Sequence, residues 1–362
     1  MRIAAAESIR LAIPFSDGGR GEGMTPSTWN QLDTVLVRLE SDTGLVGWGE
    51  AFAYFCAGAV KAMLDETVLP LLIGCEASDP ASISDMLQRK LNLFGRYGIT
   101  IFALSGVDIA LWDMKGKREG VPISTLLGGR RRDAIPAYAS LVRYGHAETA
   151  ARFTRKALKD GYRHIKLHEV ARSEIAACHA ELGGASLMVD VNCTWRTEEA
   201  ASMAGWLGDL GALWLEEPTF PPEDFEQLRQ LRSPIPLSCG ENLCTAWQFE
   251  ALLAAGVVRY PQPSVTKVGG LSEVARIIEL ADKRDDVVIM PHSPYFGPGY
   301  LATLHICAAL RKEPLFEYLY VWPESQIYDG LPEPKDGLIQ PPRGPGLGLE
   351  PNIDIVRRYR IE

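Results

Sequence analysis

No stretch of this chain comes near the roughly 20 consecutive apolar residues needed to cross a bilayer, so no membrane span is expected. Positive charge is also scarce. Lys and Arg total 37 against 46 Asp and Glu, a net charge of −9, which argues against nucleic acid or an anionic membrane surface as the main partner. The cysteines, at 56, 75, 178, 193, 239, 244 and 307, form no CxxC pair and are odd in number. A reduced, cytoplasmic protein with buried thiols is therefore expected instead of a disulfide framework. The opening MRIAAAESIRLAIPF carries Glu7 and Arg10 inside its apolar stretch, so it reads as a strand and not as a secretory leader. Low-complexity segments are missing as well. Apolar residues are plentiful at 46% of 362, and the length exceeds the roughly 250 residues of a minimal (β/α) barrel, so a second unit is expected.

Polar residues recur along the chain at a near-constant beat. Lys166, Asp190, Glu216, Glu241, Lys267, His292 and Glu317 follow one another at intervals of 24 to 26 residues, and Ser140 lies one step upstream. Most stand at or just past a short apolar run: Tyr162–Leu167, Leu187–Val189, Trp214–Leu215, Ile235–Leu237, Val287–Met290 and Leu315–Phe316. A repeat of strand, polar tip and helix is how a (β/α) barrel looks in sequence, and such barrels carry their chemistry at the C-terminal strand ends. The expected fold is α/β, a modified TIM-type barrel over 131–322 that opens at Ile135–Ser140. Residues 1–130 read as an α+β unit, with an antiparallel meander to about residue 52 and helices from about Ala57 to Lys117. The Gly-rich loop Phe15–Asn30, carrying Arg20 and Trp29, has the length and composition of a lid. The Pro- and Gly-rich tail, 323–362, is too short for a domain and is expected to fold back on the N-terminal unit.

Three acidic rungs come in succession: Asp190 in MVDVNCTW, Glu216 in WLEEP and Glu241 in CGEN. On adjacent strands of a barrel their carboxylates converge over the mouth. Hard oxygen ligands without Cys or His suit Mg²⁺, or Mn²⁺, better than zinc. Each acid alone could simply cap a helix or pair with a base; three consecutive strand ends make that reading hard to sustain. Glu217 is the weaker member of its pair, because alternation points it away from Glu216. Lys166 and His168, as K-x-H, share the inward parity of strand two, and either qualifies as a base beside a dication. His292, at the tip of strand seven, is a second proton-transfer candidate across the mouth. His164 is read as packing, and His146, His179 and His305 as surface or packing residues.

These motifs carry a resemblance. The D-x-N, W-x-E-E-P and G-E-N segments and the stretch ALSGVDIALWDMKGKREGVPISTLLGG at Ala103–Gly129 resemble the enolase superfamily, in its mandelate racemase/muconate-lactonizing branch, over essentially the full length. The resemblance implies a capping α+β domain built from both termini and Mg²⁺ on Asp190, Glu216 and Glu241. It further implies that Lys166 or His168 removes a proton α to a substrate carboxylate. Glu317 would then donate to the developing enediolate and Asn192 would contact substrate. It suggests a homo-oligomer, a dimer or octamer.

Two departures bear on the reaction. The second Lys of the frequent K-x-K is His168 here, and the Asp that pairs with the strand-seven His is replaced by Ser264, five residues before Gly269. Without that Asp, His292 lacks the partner that raises its basicity and fixes its tautomer. The balance moves from symmetric racemisation to a lyase, a Mg²⁺-dependent dehydratase converting an aldonate or aldarate to a 2-keto-3-deoxy acid. The alternative is a racemase, epimerase or cycloisomerase of a carboxylate. A zinc amidohydrolase would want H-x-H near the end of strand one, where Tyr138, Ala139 and Ser140 stand. A non-catalytic relative would have no need of the intact acidic triad and Lys166. Lys267 is expected at the tip of strand six, bracing a metal-ligand carboxylate or touching substrate. Arg20 and Tyr54 are candidate substrate contacts, in specificity loops that also include Ala51–Gly58 and Pro294–Tyr300.

Overall fold

The computed structural model describes residues 1–19 and 23–362. Three antiparallel strands begin the chain: β1 (Ile3–Ser16), β2 (Gln31–Ser41) and β3 (Val46–Ala51). β3 lies against the long helix Gly98–Glu119, whose buried residues cover most of its length. The glycines of the Val46-Gly47-Trp48-Gly49 run explain the close approach. A Cβ on Gly49 would sit 1.9 Å from the Gly106 carbonyl oxygen, and one on Gly47 would sit 2.3 Å from that of Ala110. The helix ends at Gly120, which takes the left-handed conformation (φ 69°) that glycine supplies without strain.

The second sheet is the barrel. Its strands are β4 (Ile135–Ser140), β5 (His164–Leu167), β6 (Ser186–Asp190), β7 (Trp214–Glu216), β8 (Leu237–Cys239), β9 (Tyr260–Pro261) and β10 (Phe316–Leu319). All neighbours run parallel, and β10 returns to pair with β4. Val287–Met290, expected as strand seven, has backbone-to-backbone ladder bonds along one edge only among the described residues. Val288, Met290 and His292 donate N–H groups to Arg259, Pro261 and Pro263 at 2.9, 3.1 and 3.3 Å. Towards β10 the seam carries side-chain bonds, Leu315 N–H to the Met290 sulfur at 3.1 Å and Ser293 N–H to Glu317 at 2.8 Å. The barrel interior is plugged by Tyr138, Met188, Trp214, Tyr260, Met290 and Leu315. Three of these stand two residues before an inward polar tip (Tyr138 before Ser140, Met188 before Asp190, Trp214 before Glu216), so strand alternation sets a polar layer directly above an apolar one.

The tail returns as expected. β11 (Trp322–Pro323) and β13 (Arg360–Ile361) both pair antiparallel with β1, while β12 (Leu338–Ile339) pairs with β4. Among the described residues no helix is long and apolar enough to cross a membrane.

Candidate active site

Asp190 and Glu216 end adjacent strands and are paired in register, while Glu241 follows β8 by two residues. Ligand oxygens of the three lie within 4.8 Å of one another. Asp190 and Glu216 are fully buried and the Glu241 side chain is 12% exposed. A closely packed, all-carboxylate donor set of this kind fits a hard divalent cation. Glu217 turns aside as expected: it adopts φ 42° and accepts the Gly240 N–H at 2.9 Å. Burial, then Glu241, pushes its carboxyl up to about 8.

Lys166 is fully buried beneath the cavity, with Nζ 2.8 Å from Glu216, 2.8 Å from Glu317 and 3.5 Å from Asp190. Burial opposes its charge, but Glu216, Glu317 and the other surrounding groups outweigh burial and hold the ammonium well above its usual range. His168 stands one pleat higher and lines the cavity. Its Nδ1 is 2.6 Å from the Leu141 carbonyl oxygen, which can only accept, so Nδ1 carries the proton. Nε2 faces Asp190 at 3.2 Å. A backbone carbonyl thus fixes the tautomer, and Nε2 is the nitrogen that faces Asp190.

His292 lines the same cavity, with Nε2 2.9 Å from Glu241 and Nδ1 without a partner. Ser264 is bridged to the His292 backbone, yet its hydroxyl bonds Tyr295 instead of the imidazole. The orienting group expected to be missing from His292 is indeed missing among the described residues. Glu317 is held on three sides: Oε1 accepts from Lys166 and Ser140 at 2.8 Å each, and Oε2 accepts the Ser293 N–H at 2.8 Å. Burial raises its carboxyl, but Lys166 and His292 together with its hydrogen bonds bring it below the ordinary range. In this geometry Glu317 is an acceptor and would have to take up a proton before donating one.

The remaining candidates divide. Asn192, at φ 44°, donates its N–H to Asp190 at 2.9 Å and lines the cavity. Lys267 also lines it, but not from a strand tip: β9 stops at Pro261, and Lys267 lies in the turn that follows. Strand six is short because the chain bends after Pro261 and Pro263, neither of which has an N–H for the ladder. Lys267 Nζ donates to Asn242 Oδ1 at 2.6 Å, and Asn242 in turn donates to Glu241 at 3.1 Å, so the brace on Glu241 runs through Asn242. The Tyr54 hydroxyl is spent on the Pro294 carbonyl, and its ring packs 4.9 Å from Trp29 and 5.4 Å from Phe52. Tyr54 therefore lines the cavity with its hydroxyl already engaged. Arg20 lies outside the described residues. Half-buried His164, buried His305 and exposed His146 stay clear of the cavity.

The cavity holds about 340 Å³. Its wall also includes Thr25, Phe52, Val142, Arg143 and Leu319, none of which the sequence periodicity marks. For Arg143 the only available cue is its place three residues beyond Ser140.

Comparison with known proteins bears on this geometry. A family model described as enolase C-terminal domain-like matches residues 148–355, and the mandelate racemase/muconate lactonizing enzyme N-terminal domain model matches residues 21–128. The chain is 32% identical to a D-galactarolactone cycloisomerase of Agrobacterium fabrum over 90% of its own length and 91% of that protein's. It is 32% identical to a D-galactonate dehydratase of Verminephrobacter eiseniae, over 89% and 90%. The crystal structure of the 3,6-anhydro-D-galactonate cycloisomerase from Zobellia galactanivorans superposes over all of both chains with a TM-score of 0.87 at 26% identity.

Proposed function

Because the chain belongs to the enolase superfamily, in its mandelate racemase/muconate lactonizing enzyme group, we propose that it is a Mg²⁺-dependent dehydratase of sugar acids. The proton α to the carboxylate is removed, its C–H electron pair becomes a C=C bond, and the β C–O bond breaks. The departing hydroxide takes up a proton as water, and the enol relaxes to the 2-keto-3-deoxy acid. One observation carries this reading: two imidazoles, His168 and His292, line a single cavity together with Glu241, whose ligand oxygen lies within 4.8 Å of those of Asp190 and Glu216.

Asp190, Glu216 and Glu241 would hold the cation, which when bound supplies positive charge to the substrate carboxylate as the α-proton leaves. His168 is the base, since it reaches the cavity and its tautomer is set by Leu141. Lys166, beneath it, balances the charge of the carboxylates and holds Glu317 in position. His292 delivers the proton to the leaving hydroxyl. Delivery in one direction does not require the carboxylate partner that a symmetric racemase histidine would need, and Ser264 provides none. Asn192 and Lys267 border the site, Lys267 by steadying Asn242 and through it Glu241.

A second reading is cycloisomerisation, favoured by the likeness to two proteins that bear that name. It shares the first proton removal and differs in the bond that breaks next. Incubation with Mg²⁺ and a panel of aldonates, aldarates and their lactones in D₂O, read by mass, separates the two. Loss of one water, abolished by EDTA and by His168→Gln, supports the dehydratase. Deuterium uptake with ring opening and no loss of water overturns it in favour of the cycloisomerase.

A further inference from the structure

The proposed chemistry occupies the floor of the cavity and leaves Arg143 without a task. Arg143 stands on the segment after β4 and lines the cavity beside Thr25, Trp29 and Val142. Its backbone is anchored, because its carbonyl accepts the Thr25 N–H at 3.3 Å and the Thr25 hydroxyl at 2.9 Å. The side chain is not anchored in the same way. Its Nε is buried without a hydrogen-bond partner, and among the described residues its guanidinium forms no ion pair. Glu169 is the acid whose charge it feels, but the Glu169 oxygens accept the N–H groups of Tyr144 at 2.7 Å and Gly145 at 3.0 Å. Glu169 thus fixes the loop, and among the described residues it forms no ion pair with the Arg143 guanidinium.

A guanidinium held partly out of water without an anion is costly, and its planar fork matches two oxygens in one plane better than a single hydroxyl. Lys267, the other cationic side chain in the wall, is already committed to Asn242 and to the ring of Phe52, 4.7 Å away. The wall also carries the aromatic rings of Trp29, Phe52 and Tyr54, which suit the C–H side of a carbon chain. The cavity therefore brings a guanidinium and apolar rings into the same space as Glu241 and the two imidazoles. We infer that Arg143 binds a second carboxylate of the substrate, so that the substrate class is a sugar diacid with an acid group at each end. This rests on the reaction proposed above, which engages the first carboxylate at the same cavity.

Matched pairs that differ only at the distal carbon test it: galactarate against galactonate, and glucarate against gluconate, with the Mg²⁺-loaded protein. Turnover and calorimetric dissociation constants are both measured. The wild-type protein should favour at least one diacid over its monoacid by about 30-fold or more in kcat/KM and in affinity. Arg143→Gln should erase that preference by raising KM for diacids, while kcat and the monoacid constants move less than about threefold; Arg143→Lys should restore part of it. A wild-type protein without diacid preference overturns the inference even if the variants fail to fold. Equal loss on both classes in a folded Arg143→Gln protein overturns it too. If diacids bind in an Arg143-dependent way but neither lose water nor exchange their α-proton, the reaction reading falls and the diacid site stands. If monoacids are dehydrated while diacids are neither preferred by the wild type nor affected by Arg143→Gln, the reaction stands and the diacid site falls.

Discussion

Lys166 lies on β5 and His168 just past its end, two residues apart and at different depths. Lys166 is enclosed by three carboxylates and does not reach the cavity, whereas His168 does. His168→Gln should lower kcat/KM by about a thousandfold, the scale of a lost general base, with little change in melting temperature. Lys166→Met should also abolish turnover, but it leaves buried carboxylates uncompensated and should destabilise the metal-free protein by about 3 kcal/mol or more. Activity and chemical denaturation measured on both variants separate the roles; equal stability of the two would contradict this division. The brace on Glu241 makes a milder prediction. Asn242→Ala breaks the link between Lys267 and Glu241 and should raise the Mg²⁺ concentration for half-maximal activity about tenfold, as loss of a hydrogen bond to a metal ligand commonly does. An unchanged Mg²⁺ titration would show that the bridge does not act on the metal.

At the scale of the element, most of the barrel could be read from the sequence because inward residues of a parallel strand obey a strict period of two. Ile135–Ser140 is β4 as expected, and Asp190 and Glu216 end their strands. The reading weakens where backbone pairing weakens. Val287–Met290 has the composition of a strand but its backbone is bonded along one edge, and Lys267 keeps the beat, 26 residues after Glu241 and 25 before His292, although its strand has already ended. Arg143 is invisible to periodicity because the direction of a loop side chain is set by tertiary anchors, here Thr25 and Glu169. The contact between β3 and the helix Gly98–Glu119 is likewise tertiary, and it gives a sharp prediction. At Gly49 a Cβ would meet the Gly106 carbonyl and the Ala110 nitrogen, neither of which is a flexible side chain. Gly49→Ala should cost about 3 kcal/mol of stability, while alanine at Gly58, where nothing lies within 4 Å, should be tolerated. Urea denaturation of the two variants decides it, and similar midpoints would mean that the strand can lift from the helix without cost.

Across the whole molecule, the N-terminal unit and the barrel are joined through buried carboxyls. Glu50 on β3 accepts the Gly299 N–H at the start of helix Pro298–Ala309, at 2.8 Å. Asp108 accepts both the N–H and the hydroxyl of Ser272, at 2.9 and 2.5 Å, in helix Gly270–Ala281. Asp113 ties the N-terminal unit to the tail instead, accepting N–H groups from Trp48 and Leu347 and pairing with Lys117 at 2.8 Å. Burial pushes Glu50 and Asp108 up to about 7 and Asp113 to about 6, with the nearby Glu273 adding to the rise at Asp108. An acid whose folded pKa is raised binds more protons when folded than when unfolded, so its contribution favours folding at low pH and is lost as pH rises towards the folded value. For Asp108 the window runs from about 4, the ordinary carboxylate range, to about 7. Between pH 5 and pH 8 the wild-type protein should thus lose about 2 kcal/mol that Asp108→Asn does not lose. The variant cannot ionise, and its side-chain oxygen can still accept from Ser272. Denaturant unfolding at the two pH values, in EDTA so that the metal ligands contribute alike to both proteins, measures the difference of differences. Asp108→Asn should gain on the wild type as pH rises; a stability gap that stays constant or widens against the variant would mean that Asp108 is already ionised at pH 5 and joins the two units as an anion.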